Sequence, residues 1–210
     1  MSGEIIREFL FCKKAPHQLY ELFAIIPPLQ TPICDFNKSA FDFKLKSTEN
    51  KLISLNDIKG SKGTLIMFIC NHCPYVKAII KDLVDDCNEL KKIGINAVAI
   101  SANDPTNYPE DSFENMIDFA NKNNFGFPYL YDESQEIAKT YGAVCTPDFF
   151  GYNKNLKLQY RGRIMELKNL VPVRNKDTEL KLAMQSIAET GQGPRKQTPS
   201  IGCSIKWKNN

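Results

Sequence analysis

The sequence predicts an α/β domain in which helices flank a central β-sheet. Residues 64–69 form a continuous apolar run after a glycine, which is typical of a strand that is buried on both faces. A helix is indicated directly after this run, because Pro74 suits the first helical position and apolar residues recur at helical spacing as far as residue 90. Further strands and helices then alternate along the chain.

The remaining elements are predicted from periodicity and from turn residues. Alternating apolar residues at 41–45 and a second apolar stretch at 52–55 predict a β-hairpin ahead of the central strand. The later elements are a strand at 95–101, a helix near 113–120, a strand at 128–131, a helix at 134–141, a strand–turn–strand unit at 148–164, a helix at 180–187 and a tail at 201–207.

The chain is divided into an arm, residues 1–38, and one domain, residues 39–207. Pro27, Pro28 and Pro32 interrupt any helix in the arm. We expect the arm to pack on the domain or on a partner. No internal repeat and no second domain is visible.

Charge and hydropathy exclude several classes of function. With 27 basic and 24 acidic residues the net charge is +3, and the lysines are scattered, so we expect neither nucleic acid nor a membrane as partner. No apolar stretch approaches the ~20 residues that span a bilayer. The N-terminus lacks the pattern of a signal peptide, which predicts a cytoplasmic protein. The oligomeric state stays open.

Cysteine is the most informative residue type in the sequence. The seven cysteines are Cys12, Cys34, Cys70, Cys73, Cys87, Cys145 and Cys203. An odd, sparse set is not typical of a secreted disulfide framework. In a cytosolic chain, cysteines more often fill cores, bind metals or take part in catalysis.

Cys73 stands where a helix begins. Unpaired amides and the helix dipole stabilise a thiolate at such a position, which lowers the pKa and makes the sulfur nucleophilic. The carboxyl end of a central strand is also where open α/β sheets bind their ligands. A lone cysteine is usually a core residue, but the polar pair Asn71 and His72 ahead of Cys73 favours a reactive thiol.

Four motifs resemble the peroxiredoxin-like family of thioredoxin-fold proteins, of the redoxin or AhpC/TSA type. They are Phe-Ile-Cys-Asn-His-Cys-Pro-Tyr-Val-Lys at 68–77, Cys-Thr-Pro-Asp-Phe-Phe at 145–150, Tyr-Arg-Gly-Arg-Ile at 160–164 and Gly-Cys-Ser-Ile-Lys-Trp at 202–207. The resemblance covers residues 39–207. It implies a thioredoxin-like fold, with a central mixed β-sheet flanked by helices and an N-terminal β-hairpin extension.

The register of the resemblance assigns roles to the first motif. Cys73 falls where thioredoxins carry their nucleophilic cysteine and peroxiredoxins their peroxidatic one. Cys70 falls at the peroxiredoxin Thr or Ser, and Ile66 at a peroxiredoxin Pro. These two replacements imply competent disulfide exchange and weak turnover of peroxide.

The resemblance also implies a substrate-binding set. Thr146 and Pro147 match the loop with the cis-proline, which lies beside the nucleophile and receives the substrate. Arg161 and Arg163 lie on the following strand, where an arginine can stabilise a thiolate or position a peroxide. A solvated strand face is an equally good interpretation of either arginine.

Three cysteines compete as the partner of Cys73. In the redoxin register, Cys70 ends the strand and points at Cys73, so Cys70–Cys73 is the expected redox couple. Cys145 is the rival, because it precedes the cis-proline loop. Cys203 ranks third, since the tail would have to fold back. Cys145 and Cys203 are therefore the candidate resolving cysteines.

These observations predict an antioxidant-type thiol–disulfide oxidoreductase without a cofactor. Its substrates would be protein or small-molecule thiols and disulfides, and also peroxides. One alternative is a thiol peroxidase with Cys73 as peroxidatic cysteine. Another is a redox-inactive thioredoxin-like binding module.

A metal-binding protein is a further alternative. Zinc or copper could be held by Cys70, His72 and Cys73 together with Cys145 or Cys203. We expect no metal requirement, because a second pair of ligands is missing.

Overall fold

The alternation of strands and helices is present in the structure, a computed structural model that describes residues 27–209. The strands are β1 (Leu29–Gln30), β2 (Lys44–Ser47), β3 (Leu52–Ser54), β4 (Gly63–Phe68), β5 (Ile95–Ser101), β6 (Tyr129–Tyr131), β7 (Cys145–Thr146), β8 (Asp148–Asn153), β9 (Leu158–Tyr160), β10 (Leu167–Lys168), β11 (Val171–Pro172) and β12 (Ile201–Ser204). The helices are α1 (Leu55–Ile58), α2 (Pro74–Lys92), α3 (Phe113–Lys122), α4 (Glu136–Tyr141) and α5 (Glu179–Thr190). None of the helices in this range is both long and apolar enough to cross a lipid bilayer.

Seven strands form one mixed sheet in the order β3-β2-β6-β5-β4-β8-β9. Strand β4 pairs in parallel with β5 and antiparallel with β8, so it has neighbours on both sides. All of its residues are buried, as the apolar run predicts, because helices cover both faces of the sheet. The hairpin β2–β3 extends one edge of the sheet through the pairing of β2 with β6. The predicted hairpin extension is therefore confirmed.

Two apolar cores lie on opposite faces of this sheet. Side chains of β4 alternate between them, with Leu65 and Met67 in one core and Ile66 and Phe68 in the other. Helices α2 and α5 pack in the first core, which also takes in the two cysteines of the 70–73 segment. Residues 70–73 therefore belong to the α2 face of the sheet.

Residues 55–58 differ from the prediction, which continued the second hairpin strand as far as residue 55. They form the short helix α1. The Ser54 side chain accepts a hydrogen bond from the amide of Asp57, and the Asp57 side chain accepts one from the amide of Ser54. This capping box satisfies two amides at the helix start and ends the strand there.

The C-terminal segment contains a strand where the sequence predicts a tail. Strand β12 lies between β1 and β7 in a second, three-stranded sheet. Cys203 stands opposite Thr146 in this sheet. Gly202 allows the approach, because a Cβ atom at that position would lie 2.0 Å from the carbonyl oxygen of Thr146. The C-terminal strand is thus held directly against the loop that precedes Pro147.

Most of the predicted arm lies outside the described residues, including Cys12 and His17. Its last part is visible from residue 27. Leu29 and Gln30 pair with Gly202 and Ile201 of β12. The assignment of residues 1–38 as an arm stays a prediction.

Candidate active site

The segment between β4 and α2 carries the two cysteines of the predicted site. Strand β4 ends at Phe68, and α2 begins at Pro74 with Cys73 as its N-cap residue. Proline fits there because the first turn leaves its amides unpaired. Cys70 and Cys73 are 1% and 0% exposed. The structure therefore places both sulfurs at the carboxyl end of a central strand, beside a helix N-terminus.

Hydrogen bonding lowers the pKa of Cys73 far below that of an ordinary thiol. The largest contribution comes from the Cys203 thiol and the next from the Cys70 thiol. Burial opposes ionisation, while the backbone amides of Val76 and Cys203 favour it. The carbonyl oxygen of Thr146, 3.1 Å from the sulfur, accepts a hydrogen bond only from the protonated thiol. On balance Cys73 is the cysteine of this group that ionises first.

Cys70 is held as a neutral thiol beside that thiolate. Its Sγ atom lies 3.2 Å from Oγ1 of Thr146 and 3.8 Å from Nδ1 of His72. Burial raises the pKa of Cys70 well above the usual value, and its hydrogen bond to Cys73 and the charge of Asp111 raise the pKa further. The two cysteines of the motif thus differ in protonation, although they are neighbours.

Cys203 lies at the site, although the sequence places it in a tail. It is paired with Thr146, whose carbonyl oxygen lies 3.1 Å from the Cys73 sulfur, and both its thiol and its backbone amide contribute to the lowered pKa of Cys73. The Sγ atom of Cys145 is instead 3.7 Å from the carbonyl oxygen of Pro147, and burial raises the pKa of that thiol. Strand β12 therefore brings the predicted tail back onto the site, and the choice of resolving cysteine stays a prediction.

Asp111 fixes the shape of the 70–73 segment. This carboxylate is 0% exposed. It accepts hydrogen bonds from the backbone amides of Asn71 and His72 at 2.8 and 3.1 Å, and from side-chain nitrogens of His72 and Asn103 at 2.5 and 2.7 Å. Burial alone would raise the pKa of Asp111, but the hydrogen bonds from His72 and Asn103 outweigh it and lower the pKa.

The sequence gives almost no signal for Asp111. The residue follows Pro109 and Glu110 in a stretch that reads as a loop, and an acidic residue in a loop is usually solvated. Only the folded chain shows that the end of β5 and the following turn lie beside the cysteines. The side chain of Asn71 is also fixed by remote residues. It donates a hydrogen bond to the carbonyl oxygen of Glu110 and accepts one from the hydroxyl group of Tyr129.

Arg161, predicted to bind substrate, is directed away from Cys73. Its guanidinium pairs with Asp148 at 3.3 and 2.9 Å and donates to the carbonyl oxygen of Gly142 at 2.7 Å. It also covers the ring of Phe150, which belongs to the core on the opposite face of the sheet. Contrary to the prediction, the structure does not place this charge at the thiolate, because the Asp148 carboxylate holds and neutralises it.

Thr146 and Pro147 do lie at the site, and the bond between them is cis, as the resemblance implies. Pro147 borders a cavity of about 370 Å³ that is also lined by Tyr75 of α2. Arg163 also lines this cavity, with its Nε atom 2.8 Å from Oε1 of Glu179. The cavity contains further apolar side chains, among them Ile79, Ile164, Met165 and Leu167.

A metal ion fits this site poorly. The ligand atoms of Cys70, His72 and Asp111 lie within 4.8 Å of one another. However, Nδ1 of His72 is hydrogen-bonded to Asp111, and the same carboxylate already accepts three further hydrogen bonds. The ring of His72 is stacked on Tyr108, with 4.8 Å between centroids. The hydrogen-bonding capacity of His72 and Asp111 is therefore used by protein groups and does not require a cation.

Solved structures support the fold. A conserved, uncharacterised protein from Geobacillus kaustophilus is 41% identical, covers 88% of this chain and 98% of its own, and superposes with a TM-score of 0.80. The thioredoxin domain of a thiol-disulfide oxidoreductase from Bacteroides vulgatus is 16% identical over 60% of this chain and 86% of its own, with a TM-score of 0.51. The predicted thioredoxin-like fold is confirmed.

The curated relatives include a thiol-disulfide oxidoreductase and a peroxiredoxin. The thiol-disulfide oxidoreductase ResA of Bacillus thuringiensis subsp. konkukian is 28% identical over 124 residues, which are 59% of this chain and 67% of ResA. The peroxiredoxin Bcp of Escherichia coli K12 is 25% identical over 109 residues, 52% of this chain and 65% of its own. The AhpC/TSA family model matches residues 36–164, well over half of the chain. As its motifs indicate, the chain belongs to the AhpC/TSA family.

Proposed function

We propose that the protein is a thiol–disulfide oxidoreductase in which Cys73 is the nucleophile and Cys70 the resolving thiol. The observation that carries the proposal is the pairing of an easily ionised thiol with a protonated one at a single helix N-terminus. Attack requires a thiolate, whereas a resolving thiol is needed only after the mixed disulfide has formed. Membership of the AhpC/TSA family and the similarity to ResA and Bcp support a redox reaction of thiols.

The reaction begins when the Cys73 thiolate attacks one sulfur of a substrate disulfide. A bond forms between Cys73 and that sulfur, the substrate S–S bond breaks, and the other sulfur leaves as a thiolate that takes a proton from water. Cys70 then gives up its proton and attacks Cys73, which forms the Cys70–Cys73 disulfide. The second substrate thiolate leaves and takes up a proton. The substrate gains two electrons, and an external dithiol must later return two electrons to the cysteines.

The surroundings of Cys73 favour disulfides over peroxides as substrates. A peroxide needs donors that stabilise the leaving oxygen. Arg161 is held by Asp148 on the other face of the sheet. Cys70 occupies the position at which the family resemblance places a hydroxyl group, and Oγ1 of Thr146 is directed to Cys70. These contacts support disulfide exchange with weak peroxide turnover.

The cavity beside Pro147 supplies room for the substrate. Its volume of about 370 Å³ lies at the lower end of the range for small-molecule sites. A short stretch of a polypeptide or a small disulfide fits such a volume. A cytoplasmic location, which would supply dithiol reductants, stays a prediction.

Peptide mapping after oxidation tests the proposal. The reduced protein is treated with one equivalent of oxidised glutathione and digested without reduction. We expect a Cys70–Cys73 disulfide in the wild type and in Cys87→Ser, a matched control because Cys87 is a buried thiol of α2. We expect no disulfide in Cys73→Ser. A wild-type protein whose Cys73 stays reduced would overturn the proposal.

A thiol peroxidase is the second candidate, and the low pKa of Cys73 favours it as well, because a peroxidatic cysteine also reacts as a thiolate. Consumption of hydrogen peroxide in the presence of a dithiol reductant separates the two candidates. Turnover at the rate of a dedicated peroxidase would favour the second candidate. We expect slow turnover that is lost in Cys73→Ser.

A further inference from the structure

Strand β12 brings a further thiol, that of Cys203, to the site of Cys73. Gly202 makes this possible, because any side chain there would collide with the Thr146 carbonyl group. Cys203 is paired with Thr146, and the side chains of paired strand residues lie on the same face of a sheet. Because Oγ1 of Thr146 lies 3.2 Å from the Cys70 sulfur and its carbonyl oxygen 3.1 Å from the Cys73 sulfur, the Cys203 side chain faces the two cysteines. The close approach at Gly202 therefore positions the Cys203 sulfur beside the site of Cys73.

The three thiols differ in their access to solvent. Cys70 and Cys73 are buried, whereas Cys203 is half-buried. We therefore expect a dithiol reductant to reach Cys203 more readily than the Cys70–Cys73 pair. The Cys73 thiolate and burial raise the pKa of Cys203, while the positive charge of Lys206 lowers it. The effect of the thiolate is absent once Cys73 is part of a disulfide.

We propose that Cys203 is a second redox partner of Cys73, so that one nucleophile forms either of two disulfides and passes the oxidation outward. The inference rests on the proposed function and deepens it. The Cys203 thiolate attacks Cys73 within the Cys70–Cys73 disulfide. The Cys73–Cys203 bond forms, the Cys70–Cys73 bond breaks, and Cys70 leaves as a thiolate that takes up the proton lost by Cys203. No electrons are gained or lost, and the disulfide now includes the half-buried sulfur.

Cys145 does not serve in this way. It lies on β7 next to the same loop, yet its sulfur faces the carbonyl oxygen of its own segment, that of Pro147. Its thiol is fully buried. It therefore provides a matched control, since it is a cysteine of similar position in the fold with a different orientation.

The test uses variants of the full chain without Cys70. The Cys70→Ser variant is treated with oxidised glutathione, and the products are mapped by mass spectrometry without reduction. We expect glutathione to be released from Cys73 as a Cys73–Cys203 disulfide forms. In Cys70→Ser/Cys203→Ser we expect glutathione to stay on Cys73. Cys70→Ser/Cys145→Ser should behave as Cys70→Ser does.

The outcomes separate this inference from the proposed function. If Cys70→Ser keeps glutathione on Cys73 and a free Cys203, the inference is wrong while the nucleophilic role of Cys73 stands. If Cys73 takes up no glutathione in the double variant without Cys203, the proposed function fails, and the inference fails with it. Circular dichroism of each variant confirms that it is folded.

Discussion

Nδ1 of His72 lies 2.5 Å from the Asp111 carboxylate, which also accepts two backbone hydrogen bonds from the segment between the cysteines. The carboxylate therefore fixes the backbone of residues 70–73 from a remote part of the chain.

Asp111→Asn should destabilise the protein by about 1–3 kcal/mol, because the amide offers one acceptor oxygen to four donors and leaves at least one buried donor unpaired. Urea denaturation measures the change. Glu110→Gln, an exposed neighbour, should cost little and serves as the control. Equal stability of the two variants would contradict the role given to Asp111.

The pKa of Cys73 should depend on its thiol neighbours. The rate of iodoacetamide labelling follows the thiolate, so the wild-type rate should stay level as the pH falls from ~8.5, the value of a free thiol, to well below it. Cys203→Ala removes the largest contribution to the lowered pKa of Cys73 and should shift the profile to higher pH, while Cys203→Ser, which keeps a donor, should shift it less. Identical profiles for the alanine and serine variants would contradict this.

The same lowered pKa makes stability depend on pH. Below ~8.5 the unfolded state binds a proton at Cys73 that the folded state does not, so this residue stabilises the fold more as the pH rises. The contribution is lost as the pH falls through the lowered pKa. Cys73→Ser should show a flatter dependence of the free energy of unfolding on pH than the wild type between pH ~6 and ~8. Parallel curves would argue for a neutral Cys73 in the folded protein.

Arg161→Ala should be destabilising without slowing the reaction of Cys73. It leaves the Asp148 carboxylate buried and unpaired, which costs about 3–5 kcal/mol. Arg174→Ala removes the exposed pair with Asp82 and should cost only about 0–1 kcal/mol. The measurements are urea denaturation and the labelling rate of Cys73. A large loss of labelling in a folded Arg161→Ala protein would restore the thiolate role of the arginine.

Gly202→Ala should move β12 away from the Thr146 carbonyl group. In the Cys70→Ser background, we expect formation of the Cys73–Cys203 disulfide to slow by about tenfold or more, since small displacements of reacting groups cost rate. Ile201→Ala, a change at an exposed side chain of the same strand, should leave the rate near its original value. Unchanged kinetics in Gly202→Ala would mean that the strand tolerates the displacement.

Sequence reasoning recovers the features that depend on local pattern. The apolar run of β4, the helix start at Cys73 and the hairpin each have a periodicity or a capping residue that acts over a few residues. The cis bond before Pro147 follows from the family resemblance and not from spacing, because most bonds to proline are trans.

Features that depend on pairing between remote residues have no local signal in the sequence. The segment with Cys203 is too short to be recognised as a strand, since its pairing partners Leu29 and Thr146 are remote in the chain. Arg161 has the pattern of an exposed strand residue, and only the fold brings Asp148 beneath it. Asp111 carries no motif, because its partners are backbone amides.

The complete burial of Cys73 has a kinetic consequence. We expect a bulky disulfide to reach the sulfur when β12 separates from the loop at Thr146, a step that does not depend on substrate concentration. The observed rate should therefore level off as a large substrate is added, while a small reagent that slips past the strand continues to react faster with concentration. The rate at which β12 separates from β1 and β7 would then set the upper limit on turnover of large substrates.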